Sequence, residues 1–206
     1  MTGRFVVLEG GDGSGKSTQR DVLVAWLRES GIEAVATFEP GGTALGVSLR
    51  KLLLDGGAIA PRAEALLMAA DRAQHIADVI SPALARGAWV VSDRHVSSSL
   101  VYQGVVRDLG VDDVRALSVF AADGLVPDLV VVLDVDDATA EQRRSPGADR
   151  MEREGDAFHE QVRRAYRGLA EANGWTVIDG AGAPEAVAAR IRAVVEPFVN
   201  TDSAPS

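Results

Sequence analysis

Residues 10 to 17 read Gly10-Gly11-Asp12-Gly13-Ser14-Gly15-Lys16-Ser17, a glycine, four free positions and then Gly-Lys-Ser, with Thr18 next. That spacing makes phosphate chemistry only when a strand delivers the loop and a helix receives it. Both are predicted here, a strand over Phe5-Val6-Val7-Leu8 and a helix from Lys16 through the apolar positions of 21–27. An incidental glycine-rich turn carrying a lysine would need neither. Glycines at 10, 13 and 15 let the backbone curl so that its N–H groups ring an anion at the positive end of the helix. Lys16 then reaches the β and γ phosphates of a nucleotide, and the Ser17 hydroxyl faces Mg²⁺.

The rest of the chain is compatible with one enzyme domain. It has 206 residues, 47% hydrophobic and 25% charged, enough to bury a sizeable core. A net charge of −9 argues against a nucleic-acid polymer as partner and leaves small phosphorylated molecules open. Only Lys16 and Lys51 are lysines, so nearly all positive charge is arginine, the side chain suited to bidentate contact with phosphate. Cysteine is absent, which removes disulfides and thiolate metal sites. No apolar run approaches membrane-spanning length, and the expectation is a cytoplasmic enzyme with no membrane partner.

Strand and helix signals alternate along the whole chain, predicting an α/β three-layer sandwich with a five-stranded parallel sheet. Strands are expected at 32–38, 88–92, 129–133 and 175–178. Between them the spacing predicts helices over 45–54 (Leu45, Leu49, Leu52 and Leu53 buried), 61–86, 112–122, 136–144 and 152–173, and a closing helix over 184–195. Residues 1–199 form the domain and 200–206 a flexible tail. Phe38-Glu39-Pro40-Gly41-Gly42-Thr43 and Asp93-Arg94-His95 each fall at the carboxyl end of a strand, the edge where such sheets bind ligands. Asp93 there suits a metal's outer ligand and Arg94 a phosphate clamp. Met68, Arg72 and His75 share a helix face. The stretch 143–167 carries seven arginines against five acids, a positive island in an acidic chain. Its helical part reads as a solvated face, whereas Arg143 and Arg150 flank a Ser-Pro-Gly loop and predict a phosphate-closing lid over about 143–154.

At this point the chain resembles the thymidylate kinase family of nucleoside monophosphate kinases, from Phe5 to about Gly180. The resemblance is carried by Glu9 to Thr18, Glu39 to Thr43, Ala69-Ala70-Asp71-Arg72-Ala73-Gln74-His75, Asp93-Arg94-His95, Ser98-Ser99 with Tyr102-Gln103-Gly104, and Asp149-Arg150-Met151-Glu152. It implies γ-phosphoryl transfer from Mg-ATP to dTMP and a homodimer. It further implies Asp12 and Glu39 near the sugar and phosphate of dTMP, Arg50 and Arg94 on that phosphate, and Arg72, Gln103 and Ser99 at the base, with Phe38, Pro40, Met68 and Tyr102 lining the same pocket. The phosphate loop lacks an arginine while the lid offers Arg143, Arg144 and Arg150, which resembles the lid-arginine type, with Lys16, Arg94, Arg150 and Asp12 as the catalytic set and Arg143 on ATP. A guanine-reading Asn-Lys-x-Asp element is absent, which argues against a GTP switch. A deoxynucleoside kinase using Glu39 as base is the remaining alternative.

Met68 stands where the family usually places a base-stacking phenylalanine. A thioether still contacts a ring face, worth up to about 1.5 kcal/mol. The resemblance therefore predicts a KM for dTMP that falls in Met68→Phe; steady-state kinetics showing an unchanged or higher KM would refute it.

Overall fold

The computed structural model describes residues 3–143, 150–151 and 153–202. Of the lid motif, Arg144, Asp149 and Glu152 lie outside the described residues. Five strands, β1 (Phe5–Glu9), β2 (Ala34–Phe38), β3 (Trp89–Asp93), β4 (Leu129–Asp134) and β5 (Thr176–Asp179), pair in parallel in the order 2-3-1-4-5. The registers Leu8↔Asp93 and Phe38↔Asp93 bring the carboxyl ends of β1, β2 and β3 to one edge. The expected three-layer fold is therefore the one formed.

Alternation along β1 divides the core between the two faces of the sheet. Val6 and Leu8 pack with Trp89, Val91, Val131 and Leu133 against Leu23 and Leu27 of α1 (Lys16–Glu29) and Ile191 and Val195 of α9 (Pro184–Asp202). Phe5, Val7 and Val90 meet Ile76, Ile80 and Ala83 on the opposite face. β1 and β3 are buried along their whole length, which is why they read as continuous apolar runs. A third cluster, around Leu53, Leu54, Tyr102, Met151 and Tyr166, lies beside the cavity described below.

Three helices are not regular. α2 (Ala44–Arg50) passes into a π-helical turn at Lys51–Asp55. α3 (Pro61–His75) passes through another at Ile76–Ile80 into α4 (Ser81–Ala85). α5 (Val96–Ser99) passes into a third at Leu100–Val106. The second precedes Pro82, whose missing N–H an unbroken α-helix could not absorb. The first corrects the expected stripe. Leu49, Leu53 and Leu54 are buried, whereas Leu45, in the first turn of α2, and Leu52 are 45% and 57% exposed; beyond Leu49 the widened turn moves the buried position from 52 to 53 and 54.

α6 (Val111–Ala122) follows the third of these, and α7 (Asp137–Arg143) ends where the lid was expected to begin. α8 (Asp156–Asn173) begins later than expected, after Gly155, and stops at Gly174, whose φ of 69° no β-carbon favours. Its arginines are only partly a solvated face. Arg164 pairs with Glu160 four residues away, but Arg163 pairs with Asp137 and Arg167 with Asp134, tying α8 to α7 and β4. α9 continues through Asp202 into the stretch expected to be tail.

Candidate functional site

The loop after β1 is shaped by backbone sterics. Gly10, Gly13 and Gly15 take φ values of 138°, 80° and 94°. A β-carbon on Gly10 would stand 2.5 Å from the Leu133 carbonyl, and one on Gly13 would stand 2.3 Å from that of Ala140. Only glycine fits either place. The loop ends at α1, whose unpaired N–H groups and dipole favour an anion. Lys16 Nζ donates to Gly11 O at 2.7 Å and approaches Ser14 Oγ at 3.3 Å. Burial, with the nearby Arg94 charge, lowers the Lys16 ammonium to about 8, against the pull of Asp93, Asp12 and Glu9. That is the signature of a cation waiting for a negative charge.

Beside the loop, Arg94 has a left-handed φ of 73°, a costly conformation for a residue with a β-carbon. It is held by Asp12, with which it forms an ion pair, by Gly10 O at 3.2 Å, Ser98 Oγ at 3.1 Å and Tyr166 OH at 3.3 Å. Its guanidinium lies 5.2 Å from the Tyr102 ring centroid. Burial would raise Asp12, but Arg94, Lys16 and His159 overcome it and its carboxyl sits below the usual range. Glu9, fully buried, accepts from His95 N, Ser98 N, Ser98 Oγ and Tyr166 OH at 2.7–3.2 Å. Burial outweighs Arg94 and these donors and pushes it up.

Glu39 ends β2. Its Oε1 accepts from His75 Nδ1 at 3.0 Å and His95 Nδ1 at 2.8 Å, and its Oε2 from Arg72 Nε at 3.0 Å. Although burial alone would raise it, His95, Arg72 and these bonds hold Glu39 well below the carboxylate range. A carboxylate so occupied is a poor proton acceptor, which removes the base that a deoxynucleoside kinase would require. Arg72 Nη2 donates to Ser99 Oγ at 2.9 Å and to His95 O at 3.2 Å, and Nη1 to Ser118 Oγ at 3.4 Å. Arg50 donates to Pro40 O at 2.8 Å, and its guanidinium and that of Arg20 each lie 5.8 Å from the Phe38 ring centroid. Both histidines thus hold Glu39 in place.

One cavity of about 850 Å³ joins these groups, a volume typical of small-molecule sites. Asp12, Gly13 to Thr18, Phe38, Glu39, Pro40, Arg50, Met68, Arg72, Asp93, Arg94, Ser99, Tyr102, Gln103 and Arg143 all border it. Gly10 and Gly11 shape the loop from behind, against a small pocket of about 30 Å³. Arg143 donates to Gly180 O at 3.0 Å and Gly182 O at 3.1 Å, and these glycines close the end of the cavity beyond the loop.

Arg150 departs from expectation. It pairs with buried Glu64, donates through Nε to Leu53 O at 2.9 Å, and is not among the residues bordering the cavity. In this arrangement its guanidinium is taken up by Glu64 and the Leu53 carbonyl, and of the arginines expected in the lid Arg143 is the described one that borders the cavity. Sequence reasoning also missed Glu9, Tyr166, Arg20 and Glu64. For Glu64 a signal existed, since 64, 68, 72 and 75 fall on one helix face; Tyr166 had none beyond the buried stripe of α8.

The residues present suit Mg²⁺. Ser17 Oγ donates to Asp93 Oδ2 at 2.5 Å, while Asp93 Oδ1 is buried with no hydrogen-bond partner among the described residues. Hard oxygen donors of this kind, too few to cage an ion alone, match a cation that keeps its waters and binds largely through phosphate oxygens. No cluster of three His, Cys, Asp or Glu that could hold a metal occurs among the described residues.

A glycine-lined anion cradle at the end of β1, on a 2-3-1-4-5 parallel sheet, defines a P-loop nucleotide-binding protein with room for a second anionic ligand. The chain belongs to the thymidylate kinase family, whose model, described as Thymidylate kinase, matches residues 8–191. It is 52% identical over 198 residues to the thymidylate kinase of Clavibacter michiganensis subsp. michiganensis (strain NCPPB 382), covering 93% of this chain and 94% of that one. It is 49% identical over 203 residues to that of Bifidobacterium longum (strain NCC 2705), covering 95% and 98%, and 50% identical over 195 residues to that of Leifsonia xyli subsp. xyli (strain CTCB07), covering 92% and 93%.

The lowered Lys16 gives a pH prediction. Above pH about 8 the free protein has largely lost this proton, and phosphate oxygens favour its return. Nucleotide binding at about pH 8.5 therefore takes up a proton, and affinity falls as pH rises through this range. Calorimetry of an ATP analogue at about pH 8.5, in buffers of different ionisation enthalpy, should give buffer-dependent heats whose sign is proton uptake; buffer-independent heats there would overturn it.

Proposed function

We infer that the chain transfers the γ-phosphoryl group of ATP to dTMP, giving dTDP and ADP on the way to dTTP. The observation that carries this reading is that two anion sites share one cavity. One is the loop with Lys16 at the amino end of α1; the other is built by Arg50 and Arg94 beside Phe38 and Pro40.

The acceptor oxygen of dTMP is already ionised at neutral pH, so no base has to remove a proton. A bond forms from that oxygen to the γ-phosphorus as the bond from γ-phosphorus to the β–γ bridging oxygen breaks, and ADP leaves with the electron pair. The protein's task is to bring two anions together, which costs Coulomb energy unless cations stand between them. Lys16 and Arg94 face the gap, and Asp12 keeps the strained Arg94 aimed. Arg143 holds the loop at the nucleotide end, and Ser17 with Asp93 would hold Mg²⁺, which would supply positive charge to the transferring phosphates. At the other end Arg72 donates toward the pyrimidine O4, which disfavours cytosine, whose exocyclic amine is itself a donor. Met68, Leu54 and Met151 supply an apolar wall for the ring.

Leu66 on α3 and Val119 and Phe120 on α6 are 58%, 56% and 87% exposed, and these helices are neighbours. An apolar face of this kind supports a homodimer. No helix among the described residues is long and apolar enough to cross a membrane, and the cytoplasm is the proposed site of action.

Turnover with dTMP, dUMP, dCMP and dGMP, followed by ADP release, should be fastest with dTMP. Lys16→Ala should lower kcat by about 100-fold or more with an unchanged melting temperature. Indifference to the acceptor, or a Lys16→Ala enzyme as fast as its parent, would defeat the assignment. Light scattering at micromolar concentration should return twice the chain mass, and a monomer would exclude the dimer.

A further inference from the structure

We propose that Glu64 is a positioning residue that fixes the Gln103 amide with its oxygen toward the cavity, and so sets which pyrimidine the site accepts. The proposal rests on the dTMP reading above and adds to it a residue that does not border the cavity.

Glu64 is fully buried on α3, one turn before Met68 and two before Arg72. Its Oε2 pairs with Arg150, and its Oε1 accepts from Gln103 Nε2 at 2.8 Å with Arg107 Nε 3.6 Å away. A carboxylate between two guanidinium groups accepts and does not donate. The nitrogen of Gln103 must therefore face Glu64, which turns its oxygen the other way. Gln103 borders the cavity, and its Oε1 is buried with no hydrogen-bond partner among the described residues. Such an acceptor is unfavourable until something supplies a donor.

Thymine and uracil supply one at N3–H. Cytosine presents a lone pair at the same position, so two acceptors would meet. A free amide could rotate and offer its NH₂ group to cytosine instead; the Glu64 bond forbids that rotation. Glu64 in turn is fixed from behind. Arg150 is anchored by Leu53 O and by its own N–H to Leu54 O at 3.1 Å, and Arg107 by Glu154 at 2.8 Å. The arginine expected on the γ-phosphate is here the support of the base-reading amide.

Glu64→Gln tests this, because one side-chain carbonyl cannot serve both Arg150 and Gln103. With dTMP and dCMP assayed in parallel, the ratio of kcat/KM for dTMP over dCMP should fall by about tenfold or more, chiefly through the KM for dTMP, with the KM for ATP unchanged within about twofold. Gln103→Leu should lose the ratio to a similar degree, and the double variant should lose little more, since both act through one contact. The exchange Glu64→Gln with Gln103→Glu sets an amide N–H at 64 against a carboxylate at 103 and returns an acceptor to the cavity. It should recover the ratio toward the parent, and this arm stands even if Glu64→Gln alone folds poorly. A Glu64→Gln enzyme with lower melting temperature or kcat but an undiminished ratio, or an exchange that recovers nothing, would reduce Glu64 to a structural role. A parent enzyme with no preference for dTMP over dCMP would instead defeat the substrate reading itself.

Discussion

A carboxylate removed from water has to be met by donors, and in this protein the donors so recruited give the cavity its form. Glu9 gathers the backbone of His95 and Ser98 and the hydroxyl of Tyr166, fixing the turn after β3 from which Arg94 projects. Glu39 gathers two histidines and Arg72, tying the end of β2 to α3 and to the same turn. Neither contact is chemistry in itself. Each holds a cation or its backbone where thermal motion would otherwise scatter it, and preorganised charge stabilises a developing phosphoryl group without reorganisation at the moment of transfer.

The electrostatic arrangement reverses the character of the chain. With a net charge of −9 the surface repels nucleotides, yet Lys16, Arg20, Arg50, Arg72, Arg94 and Arg143 converge on one cavity. Asp12 and Asp93 keep that concentration of positive charge from being self-defeating. The lowered Lys16 and the lowered Asp12 are two sides of this balance. Glycine at 10 and 13 completes it by letting backbone N–H groups, which carry no net charge, share the work of binding.

Most of the fold was legible in the sequence because buried parallel strands are written as uninterrupted apolar runs, and Phe5 to Leu8, 88–92 and 129–133 are such runs. The phosphate loop was legible because its spacing is dictated by sterics. A misreading arose where geometry left the 3.6-residue period, as at Leu52, since a widened turn leaves no mark in composition. Arg150 was misjudged for a different reason. An arginine near a loop of small residues has the same sequence signature whether it meets a ligand or a buried acid, and Glu64, distant in sequence by 86 positions, decides between them. Tyr166 illustrates the same limit, since a side chain reaching Glu9 across 157 positions is invisible to local reasoning.

The irregular turn at Lys51–Asp55 has one more implication. By ending there with a widened turn, the helix leaves the Leu53 and Leu54 carbonyl oxygens to Arg150. An engineer who regularised this helix to gain stability would rotate those oxygens out of reach, and Arg150 would lose the anchor that holds it against the buried Glu64. A local imperfection in one helix is thus what keeps the partner of a buried carboxylate in place.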